Sequence, residues 1–249
     1  MDGNWLKSTN EEVLVSIERR DQLKPKVLVL YWETGNVGFK TECQAVREMF
    51  EETFHYPTEE FAIPSKNVEA ATPNQTLEYE LMSRVTKLLS EATHRSTLII
   101  YYGGHGDEDH DKHRGQECQS VWAEFEAGGS TLRWYKIQEL MRESSADILL
   151  ILDCCFAAQA ARGRNDRRGR FEILAAAAMG MPTRGPGKKS FTTVLLEDIH
   201  EEVAKGGVIE HQGHTYSTLH SAKGPLRYAS PYSSNRRTNL SQTRASCCL

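Results

Sequence analysis

Short runs of consecutive apolar residues punctuate the chain and are typical of buried strands. The most apolar runs lie at Lys26–Trp32, Thr97–Tyr102 and Asp147–Leu152. Weaker strand candidates lie at Glu60–Ile63, Ser120–Phe125 and Glu172–Ala178. The alanines of the last candidate also suit a helix.

Between these runs, apolar residues recur at helical spacing. The helical stretches are Phe39–His55, Gln75–Thr93, the region from Trp134 to Met141, and Ser190–Ala204. Ser190 is a suitable N-cap for the last helix, and Gly206 and Gly207 follow its end. Alternation of buried strands with amphipathic helices predicts an α/β fold of three layers, with a mostly parallel central sheet and helices on both faces.

Composition and charge exclude several classes of protein. The chain of 249 residues is 39% hydrophobic and 26% charged, which is ordinary for a globular protein. No apolar run approaches the roughly 18 residues of a membrane helix, and the first residues lack the apolar core of a secretory signal. A net charge of -4 indicates no attraction to nucleic acid, and the six cysteines fit reduced thiols in the cytoplasm. We therefore expect a cytoplasmic protein without nucleic-acid or membrane partners.

The charge is distributed unevenly along the chain, and its sign changes near the carboxyl terminus. Residues 211–249 contain five basic and no acidic residues, so residues 1–210 carry a formal charge of -9. Hydrophobic periodicity also fades there, and the final stretch is rich in Ser, Asn and Arg. We predict a leader at 1–24, one domain at 25–229 and a disordered tail at 230–249. Leu226–Ala229 is the one short candidate for a final strand.

Two of the buried runs are followed directly by residues that can carry chemistry. Gly103-Gly104-His105-Gly106 follows the second run, and Asp153-Cys154-Cys155 follows the third. In a parallel sheet the carboxyl ends of the strands open on one edge, so His105 and a cysteine should meet there. A thiolate nucleophile with an imidazole that manages protons is the pair that cysteine hydrolases use. The flanking glycines would let a substrate approach and would leave an amide for the oxyanion.

These motifs resemble those of caspase-like cysteine peptidases, the superfamily of caspases, metacaspases and paracaspases. Cys155 follows His105 by 50 residues, and the Asp-x-Cys form is closer to metacaspases than to animal caspases. Short sequence motifs that recur in fungal caspase-domain proteins begin at Ser120, Thr131, Leu152 and Leu174. The resemblance covers about 180 residues, from Lys26 to Ala204.

The resemblance implies a role for each matching residue. Cys155 would be the nucleophile, Cys154 its buried neighbour, and His105 the general acid and base. The backbone amides of Gly106 and Cys155 would form the oxyanion hole. Asp153 would line a partly buried pocket and select Arg or Lys before the scissile bond through a charge-assisted bond.

The chain departs from the metacaspase pattern at two places. Phe156 stands where metacaspases have histidine after the nucleophile. Their second pocket aspartate, on the first helix, corresponds to Gln44 here, and Glu42 is a nearby substitute.

Acidic and histidine residues around His105 raise the question of a bound metal ion. The acidic residues Asp107, Glu108, Asp109 and Asp111 stand beside His105. The resemblance makes calcium activation an option, but the spacing lacks the Gly and Glu of an EF-hand, and we expect a solvated loop and no cofactor. A zinc site of His105, His110, His113 and Cys118 is disfavoured by its spacing.

The segment Arg162–Arg170 contains five arginines and follows the nucleophile, where caspases carry the linker between their subunits. It is either a solvated loop or a site of self-cleavage.

The sequence thus predicts a cysteine endopeptidase that acts on proteins or peptides, with any regulatory partner acting in trans. The alternative is a catalytically inactive caspase-like interaction module. A redox protein built on Cys154 and Cys155 is a weaker alternative, because redox sites usually have the Cys-x-x-Cys spacing.

Overall fold

A computed structural model describes most of the predicted domain. The described residues are 25–65, 73–93, 96–109, 120–158, 169–177, 181–205, 220–221 and 224–225. The predicted leader (1–24), the predicted tail (230–249), Leu226–Ala229 and most of Arg162–Arg170 lie outside the described residues.

The centre of the fold is a five-stranded parallel sheet. Its strands are β1 (Lys26–Trp32), β2 (Thr58–Ile63), β3 (Thr97–Gly103), β7 (Asp147–Asp153) and β8 (Phe171–Ala175). The spatial order is β2-β1-β3-β7-β8, and each neighbouring pair is parallel. β1, β3 and β7 correspond to the three most apolar runs of the sequence and occupy the middle of the sheet. The alanine-rich run at Glu172–Ala178 is a strand, and it ends at Ala175.

Within the described residues, four helices cover the sheet. They are α1 (Val37–Glu48), α2 (Pro73–Ser90), α3 (Trp134–Arg142) and α4 (Phe191–Ala204), and α1 continues as a π-helical turn at Met49–Thr53. Ser190 caps α4 as predicted, because its side chain accepts a hydrogen bond from the amide of Thr193. Asn36 caps α1 in the same way by accepting from the amide of Gly38.

Alternation along the strands sends side chains to two separate cores, one on each face of the sheet. On one face Leu28 and Leu30 of β1 pack with the apolar stripes of α2 and α3. On the other face Val27 and Val29 pack with α1 and α4. This arrangement confirms the predicted three-layer α/β fold with helices on both faces.

A second, antiparallel sheet begins just beyond the carboxyl end of β3. Its strands are β4 (His105–Glu108), β5 (Ser120–Ala123) and β6 (Thr131–Leu132). The predicted strand at Ser120–Phe125 therefore exists, but it lies outside the central sheet. Tyr102, Trp122 and Trp134 form a continuous aromatic stack that joins this sheet to β3 and α3, with ring centroids 3.8 and 4.0 Å apart.

Near the carboxyl terminus, β9 (His220–Ser221) and β10 (Gly224–Pro225) form a two-residue antiparallel pair. Neither strand belongs to the central sheet. Among the described residues, no helix is both long and apolar enough to cross a membrane.

Candidate active site

The ends of β3 and β7 bring the two chemical motifs together. The strands pair in parallel, and Gly103 lies opposite Asp153 in the register. The amide of Gly104 then donates to the carbonyl oxygen of Asp153 at 3.2 Å. His105 and Cys155 therefore leave adjacent strands at the same edge of the sheet.

Gly106 lies directly against the backbone of Cys155. A β-carbon placed on Gly106 would lie 2.2 Å from the carbonyl oxygen of Cys155, closer than any real contact. A larger residue would push β4 away from the cysteine. Substrate approach is the role expected for the glycines around His105, and Gly106 is needed also for the approach of the protein's own backbone.

His105 is half-buried at the start of β4. Its ring meets the ring of Phe39 edge to face, with centroids 5.1 Å apart. Burial lowers the pKa of His105 below its ordinary value, and the negative charge of Glu126 opposes this effect. The imidazole is therefore mainly neutral near pH 7 and can accept a proton.

Cys155 is partly exposed, whereas Cys154 is fully buried among core residues. The backbone amide of Thr183 donates to the Sγ atom of Cys155 at 3.4 Å. Phe156 follows in the left-handed region (φ 58°), which is strained for a bulky residue, and its amide donates to the carbonyl of Met181. The chain turns sharply after the cysteine, and residues 181–183 are bonded to this turn.

Asp153, which the resemblance places in a partly buried pocket, is itself fully buried. Its Oδ2 atom accepts from the amide and the hydroxyl of Thr192, at 3.2 and 2.6 Å. Its Oδ1 atom has no hydrogen-bond partner among the described residues. Burial, with a smaller contribution from the charge of Glu42, raises the pKa of Asp153 to about 6.

Glu42 is the second buried carboxylate of this region. Its position in α1 lies on the inward stripe with Phe39, Cys43 and Val46, whereas Gln44 is exposed on the outward face. The Oε1 atom of Glu42 accepts from the Ser190 hydroxyl at 2.6 Å and from the amide of Gly187 at 3.0 Å. Its Oε2 atom, like Oδ1 of Asp153, is buried without a partner in the described part of the chain.

Comparison with known families decides the identity of this fold. The peptidase C14 family model, described as the caspase domain, matches residues 34–235. The chain belongs to the caspase-domain family of cysteine peptidases. The matched range contains His105, Gly106, Asp153 and Cys155. This membership makes proteins or peptides the class of substrate.

Other comparisons add less to this caspase domain. No curated protein matches the chain. A crystal structure of a protein from Geobacter sulfurreducens is similar over 75% of this chain and 84% of that chain, with 12% sequence identity and a TM-score of 0.47. At this TM-score the likeness adds nothing to the family assignment.

Three residues of the acidic cluster differ from the expected solvated loop, and the fourth, Asp111, lies outside the described residues. Asp107 and Glu108 are half-buried in β4, and Asp109 is buried. The Tyr135 hydroxyl donates to Asp109 at 2.7 Å, and Arg133 lies 3.8 Å from the same carboxylate. Burial and this carboxylate raise the pKa of Tyr135 to about 12. Within the described residues, no group of three or more His, Cys, Asp or Glu side chains is arranged to hold a metal ion.

Sequence reasoning missed three contributors to the site. Thr183 and Thr192 reach Cys155 and Asp153 from a segment distant in sequence, and nothing in their local pattern signals this. Tyr102 donates to the backbone carbonyl oxygen of His105. Glu42 did carry a signal, because a charged residue interrupts the apolar stripe of its helix.

Proposed function

We propose that this caspase domain is an active endopeptidase in which Cys155 is the nucleophile and His105 the general acid and base. The parallel pairing of β3 with β7 carries this proposal, because it holds the His105 segment and Cys155 at one edge in backbone contact. A half-buried imidazole with a lowered pKa is suited to accept the thiol proton at neutral pH.

The reaction then follows from ordinary thiol chemistry. The Cys155 thiolate attacks the scissile carbonyl carbon, and the amides of Gly106 and Cys155 donate to the oxyanion. The imidazolium of His105 protonates the departing amine, which leaves a thioester on Cys155. His105 next takes a proton from water, the resulting hydroxide attacks the thioester, and the acid product and free thiol are released.

We further propose that cleavage follows Arg or Lys. Asp153, and with it Glu42, presents a buried carboxylate oxygen that lacks a hydrogen-bond partner among the described residues. A buried carboxylate oxygen without a donor is costly, and a guanidinium or ammonium group would satisfy it by a charge-assisted bond. An aspartate side chain would instead add a like charge, so the site disfavours acidic residues before the scissile bond.

Turnover of fluorogenic peptides that end in Arg, Lys or Asp tests this function, with and without calcium. We expect cleavage of the Arg and Lys peptides by the wild type, none by Cys155→Ala, and little cleavage of the Asp peptide. Cys154→Ala is the matched control, because it removes the adjacent buried thiol and should retain most activity.

Equal rates for Cys155→Ala and the wild type would overturn the assignment of the nucleophile. Absence of Cys155-dependent turnover under every condition would favour the inactive interaction module. Preferential cleavage of the Asp peptide would overturn the basic specificity alone.

A further inference from the structure

Tyr102 is fully buried near the end of β3, three residues before His105. Its hydroxyl donates to the backbone carbonyl oxygen of His105 at 2.8 Å. The hydroxyl oxygen of Tyr102 in turn accepts a hydrogen bond from Nε1 of Trp32 at 3.1 Å. Since the hydroxyl both donates and accepts, its orientation is fixed, and it joins β1 to the His105 backbone.

The ring of Tyr102 contacts the same segment from another side. It stacks on Trp122 with centroids 3.8 Å apart and an interplanar angle of 6°. Trp122 lies in β5 directly opposite Gly106 in the antiparallel register. One buried side chain therefore supports both His105, through its hydroxyl, and the strand that pairs with Gly106, through its ring.

Gly104 allows this close approach. A β-carbon on Gly104 would lie 2.4 Å from the hydroxyl oxygen of Tyr102, so only glycine lets the chain pass over that oxygen. The amide of Gly104 meanwhile donates to the carbonyl of Asp153. The segment 104–106 is therefore held on one side by the strand of the nucleophile and on the other by the Tyr102 hydroxyl.

We propose that Tyr102 is a positioning residue for His105, an inference that rests on the proposed peptidase function. Its hydroxyl holds the His105 carbonyl, and thereby sets the direction in which the imidazole leaves the backbone. Without that bond the His105 carbonyl loses its side-chain donor, so the start of β4 can shift and the imidazole loses its alignment toward the leaving amine. Small displacements of this kind are costly because proton transfer needs close geometry.

Tyr102→Phe removes the hydroxyl and keeps the aromatic stack. We expect kcat for an Arg-ended amide peptide to fall by about 10- to 100-fold, with KM changed by less than about twofold. Tyr31→Phe is the matched control, because Tyr31 is also a buried sheet tyrosine, but its hydroxyl donates to Glu60 at 2.5 Å. Rates are normalised to the Cys155 thiol that reacts with iodoacetamide.

An ester of the same peptide separates positioning from simple loss of folded protein. An alkoxide leaving group needs less help from an acid than an amine does, so Tyr102→Phe should reduce amide turnover more than ester turnover. Equal losses on amide and ester, or the same losses in Tyr31→Phe, would overturn the inference.

Trp32→Phe provides a second variant if Tyr102→Phe fails to fold. It leaves the Tyr102 hydroxyl in place and removes its donor, so we expect a smaller loss that is again greater for the amide. A Trp32→Phe enzyme with no selective loss on the amide would contradict the inference.

The two proposals fail in distinguishable ways. If the wild type shows no Cys155-dependent turnover, the proposed function fails, and the NMR signal of the His105 imidazole still tests the positioning. That signal, assigned through His105→Ala, should be single in the wild type and in Tyr31→Phe, and broadened or doubled in Tyr102→Phe. An unchanged signal in Tyr102→Phe would overturn the positioning role.

Discussion

At the scale of single residues, the burial of Asp153 links the proposed specificity for Arg or Lys to the pH dependence of folding stability. In the folded protein its pKa is raised to about 6, mainly by burial, against an ordinary value of 3.8. The folded state therefore favours the neutral carboxyl, whereas the proposed binding of Arg or Lys requires the charged one. The neutral Asp153 carboxyl therefore contributes fully to the free energy of unfolding at a pH below its pKa in the unfolded chain. This contribution is lost as the pH rises through about 6.

Asp153→Asn should stabilise the protein at pH 8 by at most about 3 kcal/mol, because the amide never ionises. Urea unfolding should show no gain at low pH, where aspartate is protonated in both states. The preference for an Arg peptide over its neutral citrulline analogue should fall sharply. Asp147→Asn, at the opposite end of β7, is the control, and an equal gain there would contradict the prediction.

Glu126 provides a second prediction at this scale. Its negative charge favours the imidazolium form of His105, so Glu126→Gln should lower the His105 pKa further. Since the neutral imidazole is the proposed base, the acid limb of kcat/KM should move to lower pH. High salt should reduce the size of this shift, because it screens the charge of Glu126. Glu80→Gln, another exposed glutamate, should leave the limb in place. A shift to higher pH would contradict this prediction.

At the scale of elements, the start of α4 joins three parts of the site. Ser190 caps the helix and also donates to Glu42 of α1, while Thr192 in the first turn donates to Asp153 at the end of β7. Two buried carboxylates thus accept hydrogen bonds from the start of one helix. The N-cap of α4 and the two buried carboxylates therefore belong to one hydrogen-bonded group.

Ser190→Ala should lower the free energy of unfolding by about 1–2 kcal/mol, because α4 loses its cap and Glu42 loses a donor. Ser90→Ala is the matched control. Ser90 is exposed at the end of α2 and donates to the carbonyl of Lys87, so its loss should cost about 0.5 kcal/mol or less. Thermal and urea unfolding provide the measurement. Equal costs for the two variants would show that the cap contributes nothing special.

At the scale of the whole molecule, the described residues on the two sides of the arginine-rich segment lie at opposite edges of the sheet. Ala158 follows the nucleophile at the carboxyl edge, and Arg170 lies at the opposite edge, where its amide donates to Asp147. A strand of seven residues separates these edges by about 20 Å. Arginines early in the segment therefore begin closer to Cys155 along the chain than Arg170 does.

Self-cleavage, if it occurs, should follow Arg162 or Arg164 at a rate independent of protein concentration. Cleavage after Arg170 should require a second molecule, because that residue is anchored at the far edge. Incubation of wild type and Cys155→Ala, followed by N-terminal sequencing of new fragments, measures this. The same fragments from both proteins would count against self-processing.

The sequence allowed a good prediction of the fold and of the pairing of motifs. Three apolar runs, each too short and too apolar for a surface helix, predicted the central strands, and residues that follow parallel strands must share an edge. The sequence was less informative about Glu42, because the metacaspase motif aligns its second pocket aspartate with Gln44. Only the orientation of α1 against the sheet shows that Glu42 faces inward. The sequence also missed Thr183 and Thr192, since contacts between distant segments leave no local pattern.

The sequence by itself determined which residues can react and on which strands they stand, because strand periodicity and the order of elements are local properties. Tertiary structure decided their environment: the burial of Asp153, the close contact of Gly106 with Cys155, and the Tyr102 hydroxyl beneath His105. These features depend on distances between chain segments far apart in sequence. The pKa values and alignment of the proposed catalytic groups depend on the same distances, which is why only the folded chain specifies them.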